Sequence, residues 1–272
     1  MLLARGKQGL WRWEGTWRRV VCPLTHPMLI SAGAVADVQH RLAWDGRRVF
    51  ALPPGVECML RCPWGYLVLS GEADSLSLVD FAGQLAVVTP AGVYPQGMCL
   101  LPDGRHIAVC GGAEGAIRLF SLPDLHLMRR FSVPGCPQQA ACAGDTLCVL
   151  SLVEEGGLRC KVSLIPLNSG AERVLFTLPG LPGSVCYDGM GGWWVAASER
   201  LCRLDARGRC VFRQDGWGLI THMERKGTEM LLTDSVMGLC GWVDASNTDG
   251  AEILFRGDVC HACFRTERNR FR

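Results

Sequence analysis

No stretch of about 18 consecutive apolar residues occurs in this 272-residue chain, so no segment reads as a membrane-spanning helix. Also missing are a Gly-x-Ser-x-Gly turn, a Gly-rich loop closing on Gly-Lys-Ser/Thr, and a His-Glu-x-x-His pair. Their absence removes the sequence grounds for a nucleophile elbow, a phosphate-cradling loop and a zinc-protease helix. Asparagine is scarce, with Asn168 alone among the first 200 residues. The opening run MLLARGKQG meets Arg5 and Lys7 too soon for a secretory apolar core, and the expectation is a soluble cytoplasmic protein. Without an export signal, the fifteen cysteines are expected to stay reduced, as small buried apolar groups rather than a disulfide framework.

What is present is a repeat. A short apolar strand, a Gly or Asp-Gly turn and a second apolar strand return about every 40 residues. The turns fall at Trp13-Glu14-Gly15, Trp44-Asp45-Gly46, Asp80 to Gly83, Leu122-Pro123-Asp124, Leu167 to Gly170, Asp205 to Gly208 and Asn247 to Gly250. Breakers mark the joints between units at Pro53-Pro54-Gly55, Pro90-Ala91-Gly92, Pro134-Gly135, Pro179-Gly180, Gly216-Trp217-Gly218 and Gly257. Hairpin units at this period predict one all-β domain over residues 1–272, a seven-bladed β-propeller of four-stranded antiparallel blades. A helical repeat would carry a 3.6-residue period instead.

The clearest unit runs from Pro95 to Pro134: strand, Pro102-Asp103-Gly104 turn, strand, glycine loop, strand, strand. Proline presets φ at the first corner of that turn and glycine accepts the positive-φ position. The string Pro95-x-Gly97-x-x-x-x-Pro102-Asp103-Gly104-Arg105-x-Ile107-x-Val109 resembles the repeat of bacterial YncE-like and WD-type seven-bladed propellers. Gly65 to Leu69, Asp145 to Val149, Gly192 to Val195 and Gly227 to Leu231 echo its second strand. Propellers of these kinds serve diverse roles, so the resemblance implies fold rather than activity.

The chain starts inside a unit, with Met1 to Ala4 as a second strand, and ends with a spare strand, Val259 to Phe264. The economical arrangement has the C-terminal strand completing the first blade, shared between about 1–22 and 258–264, with a short basic tail at 265–272. Closure of this kind removes a free sheet edge.

Candidate sites follow from this layout. Inner strands are expected to bring Cys58, Cys99, Cys142, Cys186, His222 and Cys260 to nearly one level of the central channel. Packed thiols replacing alanine are preferred there over a metal or redox ring. Cys260-His261-Ala262-Cys263 puts His261 and Cys263 on one strand face, which leaves a tetrahedral site half built. No metal and no cofactor are expected. Glu57, His222, Asp258 and His261 fall near the channel mouth, as do Gln96 and Gln139. Trp64 and Trp217 lie in turn or boundary segments as exposed contact candidates, whereas Trp11, Trp13, Trp17, Trp193 and Trp194 are expected to wedge between blades.

Charge is uneven behind the formal total of +2: residues 1–22 hold five basic groups against one acid, and 256–272 hold five against two. If the ends share a blade, it is strongly basic, and could dock an acidic protein, a membrane surface or, less favoured, nucleic acid. The reading is a rigid non-catalytic platform for a protein or peptide partner, acting across one face or the channel mouth. The alternatives are a propeller-type small-molecule hydrolase or lactonase using His222, His261, Glu57 and Asp258, and a thiol-based metal or redox binder.

Overall fold

The computed structural model describes residues 2–4, 8–14, 16–31, 34–244, 250–257 and 259–264. Six four-stranded antiparallel blades are each built from one continuous run of chain, at 29–51, 56–90, 95–132, 136–179, 182–215 and 220–256. The expectation of seven like blades therefore needs correction. Beside the six uninterrupted blades stands a composite sheet at the seam, made of Leu2–Ala4, Leu10–Trp13, Trp17–Val20 and the late strand His261–Cys263. Unlike the six, it is assembled from two separate parts of the chain, so it is a closing element and not another continuous repeat.

Within the seam, Leu2 pairs with Cys263, Leu3 with Ala262 and Ala4 with His261, antiparallel. The late strand is thus shorter than the Val259 to Phe264 span expected from sequence. The innermost strands are Leu29–Ser31, Val56–Cys62, Pro95–Leu100, Cys136–Ala143, Pro182–Tyr187, Ile220–Lys226 and His261–Cys263. Each touches the next, and the last touches the first, so they encircle a common axis. The chain is a β-propeller.

The core lies between sheets. Leu67, Leu69, Leu76 and Leu78 of blade 56–90 pack on Met98, Ile107, Val109 and Phe120 of blade 95–132. The opposite faces of these blades feed the clusters on either side, where Met59, Tyr66 and Val68 meet Phe50, and Ala108, Ile117 and Phe131 meet Leu147 and Val149. A strand buried on both faces needs apolar residues without alternation, and Gly65–Ser70 is buried throughout. The inner strands crowd the axis. A Cβ on Gly97 would stand 2.4 Å from the carbonyl oxygen of Gln138, and one on Gly183 2.6 Å from that of Ile220.

Because neighbouring strands are antiparallel, the links between blades and the loops joining second to third strands share one face, here termed upper. The other hairpin turns share the lower face. Aspartates hold the lower turns: Asp103 Oδ1 accepts the N–H groups of Arg105 and His106, Asp80 Oδ1 those of Ala82 and Gln84, and Asp205 Oδ1 those of Arg207 and Arg209. A short carboxylate accepting N–H groups two to four residues on is why these Asp-Gly segments turn. Gly15 and residues 247–249 of the expected turns lie outside the described residues.

Candidate functional site at the upper channel mouth

Five inner strands carry a bulge near their upper ends, where the register slips at Val56/Cys58, Pro95/Gly97, Pro137/Gln139, Pro182/Val185 and Ile220/His222. An unpaired residue at a bulge is re-aimed relative to the ladder. The residues so released are Glu57, Gln96, Gln138, the Gly183-Ser184 pair and Thr221, a polar set spread around the mouth. Glu57 and Gln96 are the residues skipped in the ladders of their strands. In blade 136–179 the extra residue is Gln138, while Gln139 is back in register opposite Leu150.

The bulges also separate the cysteines expected at one level. Cys58 and His222 occupy the first paired step beyond the bulge, alongside Gly97 and Gln139. Cys186 lies one residue beyond the first paired step of its own strand, Cys99 and Glu224 two, and Cys142 three. Burial pushes the Cys58, Cys142 and Cys186 thiols up to about 11, and Cys99 well above its ordinary value, so all four are protonated at neutral pH. They are packed thiols, and no group of three potential ligands forms among them within the described residues.

His222 and His261 do come together, with ring centroids 4.0 Å apart, although they belong to different sheets. His261 is 7% exposed, and its Nδ1 is buried without a hydrogen-bond partner. Desolvation pulls His222 down to about 4 and His261 well below 6.5, the second aided by the first, so both imidazoles are neutral. Two residues along from His222, Glu224 accepts the N–H of Phe264 at 2.9 Å, tying the inner strand of blade 220–256 to the seam. Burial raises Glu224 to about 7 despite that bond and Lys226. Cys260 and Cys263 stand at C-x-x-C spacing, with Cys263 buried and its thiol driven well up by desolvation. Asp258 lies outside the described residues.

The aromatic contact candidates divide. Trp64 is 37% exposed, but on a lower turn, remote from the mouth. Trp217 is 5% exposed and is not a rim residue. Its ring fills the space left by the missing side chain of Gly241, where a Cβ would stand 2.6 Å away. Trp13, expected to wedge between blades, is 45% exposed against Trp17. Of the basic ends, Arg5, Lys7 and the arginines beyond Phe264 lie outside the described residues; Arg12 pairs with Glu14 at 3.0 Å.

One constellation escaped the sequence reading. Asp37, fully buried at the end of a second strand, accepts the N–H of His26 at 2.8 Å and that of His40 at 3.0 Å. It thereby pins the link from the seam to blade 29–51 onto the upper hairpin loop. His40 Nδ1 lies 2.9 Å from both carboxylate oxygens, and the Thr25 hydroxyl donates to Oδ2 at 3.2 Å. Burial alone would raise the Asp37 carboxyl, yet these donors hold it below the usual carboxylate range. The only hint in the sequence is Asp37-x-x-His40, with His26 eleven residues upstream.

No protein-family model matches the chain, and no curated protein matches it in sequence. The YncE-like resemblance therefore rests on the Pro95 to Val109 string alone. Solved structures do resemble it in fold. The Kuenenia stuttgartiensis hydrazine synthase structure is similar with a TM-score of 0.68 at 18% identity, over 86% of this chain and 80% of the other. A nidogen/laminin complex gives 0.64 at 13% identity, over 94% and 92%. The β-propeller domain of Myceliophteria thermophila Cps50 (Swd1) gives 0.58 at 14% identity, over 74% and 72%. At these identities the likeness extends to the fold alone: this chain shares the β-propeller architecture.

Proposed function

We propose that this propeller is a rigid platform that binds a protein or peptide partner on its upper face, around the channel mouth. The observation that carries this reading is the distribution of exposed apolar side chains. Met28, Val93, Tyr94, Leu181, Val236 and Met237 all stand exposed on upper links and loops, drawn from widely separated parts of the ring. Large apolar groups on loops of a stiff scaffold, surrounding a polar center, suit a surface that is covered in use. In this reading Glu57, Gln96 and Gln138 supply polar contacts at the mouth, with His222 and the buried His261 lying beneath them. Trp64, on the lower face, belongs to no such set.

The test compares capture and cross-linking of partners by the wild-type protein with two variants. One carries Tyr94→Asp and Met237→Asp on the upper face; the other carries Met190→Asp on the lower face, where Met190 is exposed. A partner held by wild type and by the lower-face variant, lost from the upper-face variant and cross-linked to upper loops is the expected result. Equal capture by both variants would overturn the assignment.

A further inference from the structure

We propose that His26, Asp37 and His40 form a binding site for one divalent transition-metal ion of the zinc and cobalt class, at the joint between the seam sheet and blade 29–51. The argument starts from a comparison the protein makes with itself. Asp234 occupies in blade 220–256 the place that Asp37 occupies in blade 29–51. Asp37 pairs with Leu42 and Asp234 with Leu239, each across a hairpin loop of the same length. Asp234 accepts the N–H of Gly218 at 2.6 Å from the preceding link and that of Met237 at 2.9 Å from the hairpin loop. Those are the bonds Asp37 receives from His26 and His40, so His26 corresponds to Gly218 and His40 to Met237. In blade 56–90 the place is taken by Ser70, whose hydroxyl accepts the N–H of Ala73 at 3.0 Å and donates to the carbonyl of Pro54.

The staple therefore works with backbone N–H groups alone, and neither imidazole is needed for it. Both are nevertheless present only at this joint, and they converge. The donor atoms of His26, Asp37 and His40 all lie within 4.8 Å of one another. The two rings stack nearly parallel, 10° apart, with centroids 5.2 Å apart. His26 Nδ1 is buried and has no hydrogen-bond partner, a cost with no structural return unless something else takes up its lone pair or proton.

Two imidazole nitrogens and one carboxylate oxygen form a borderline set, suited to zinc or cobalt and poorly suited to magnesium or calcium, which take oxygen ligands. Metal–ligand bonds of about 2.0–2.2 Å require the three donors to close in. The mobile partner for that step is His40, whose side chain is 45% exposed while Asp37 is fixed in the core. Ion entry replaces the contact of His40 Nδ1 with Asp37 and releases any proton held there. The Thr25 hydroxyl on Asp37 Oδ2 then orients the ligating carboxylate from outside the coordination sphere. Three protein ligands leave one position for water or for a group on a partner.

The experiment uses the full chain, stripped of metal with chelator under reducing conditions. It is titrated with cobalt chloride followed by visible d–d absorption, and with zinc chloride followed by calorimetry. One equivalent is expected to bind, with at least a tenfold loss of affinity in His40→Gln and in His26→Gln. His106→Gln, which removes the imidazole paired with Asp103 on the lower face, is expected to bind as wild type. Should His26→Gln fail to fold, the exposed His40→Gln decides alone. Stoichiometric binding that survives both substitutions belongs to thiols and overturns the proposal, as does an absence of binding at micromolar metal.

Discussion

Acidification tests the electrostatics of the mouth, because two buried imidazoles and one buried carboxyl there respond to protons in opposite senses. His222 titrates near 4 in the folded protein and near 6.5 when unfolded. Below 6.5 the unfolded chain takes up a proton that the folded chain refuses, so stability falls as pH drops towards 4. At roughly 1.4 kcal/mol per pH unit, the loss reaches about 3 kcal/mol. His261 acts in the same direction. Glu224 acts the other way: its folded value near 7 exceeds the ordinary 4.5, so the folded state binds the extra proton and stability rises as pH falls from 7 to 4.5. Between pH 6.5 and 5 the wild type should lose stability with a net slope of about one proton, roughly 1.4 kcal/mol per pH unit. Glu224→Gln removes the offset and should double that slope; His222→Gln should leave it nearly flat. Urea unfolding at half-unit intervals across this window, followed by tryptophan fluorescence, measures all three. Equal slopes in the wild type and Glu224→Gln would refute the reasoning, as would a His222→Gln slope as steep as the wild type.

Two further outcomes are expected. Gly97→Ala forces a methyl onto the Gln138 carbonyl, 2.4 Å from the ideal Cβ position, and should cost about 2 kcal/mol. That is read as a fall of several degrees in Tm; an unchanged Tm would mean that the inner strands are not tightly apposed. Truncation after Gly257 removes the strand paired to Leu2–Ala4 and leaves a bare sheet edge, so aggregation or a markedly lower thermal transition is expected by light scattering and calorimetry. A truncated protein that melts like the full chain would show that the seam contributes nothing to closure.

Much of the fold could be read from residues that act locally. Asp80, Asp103 and Asp205 announce their turns because each carboxylate bonds backbone only a few positions away. The proline and glycine joints between blades are visible for the same reason. The mouth was less legible, since a single bulge shifts everything after it: Gln138 took the place expected of Gln139, and the cysteines lost their common level. Trp217 lies in a Gly-Trp-Gly segment that looks like an exposed boundary, but the space that buries it is created by Gly241, a residue in another strand. His26 and Asp37 meet only because a link and a hairpin loop fold onto the same upper surface. His222 and His261 were both picked out, while their contact across two sheets depends on a pairing between chain ends.

The seam strand also dictates an order of events during synthesis. Six blades can form in sequence as the ribosome delivers them, each docking on its predecessor. Leu2–Ala4, made before any of the six, must wait with an unmatched backbone until 261–263 emerges. Until then the nascent ring is an open arc with two exposed flanks, and it reaches its final shape only once the inner strand of the seam has been made.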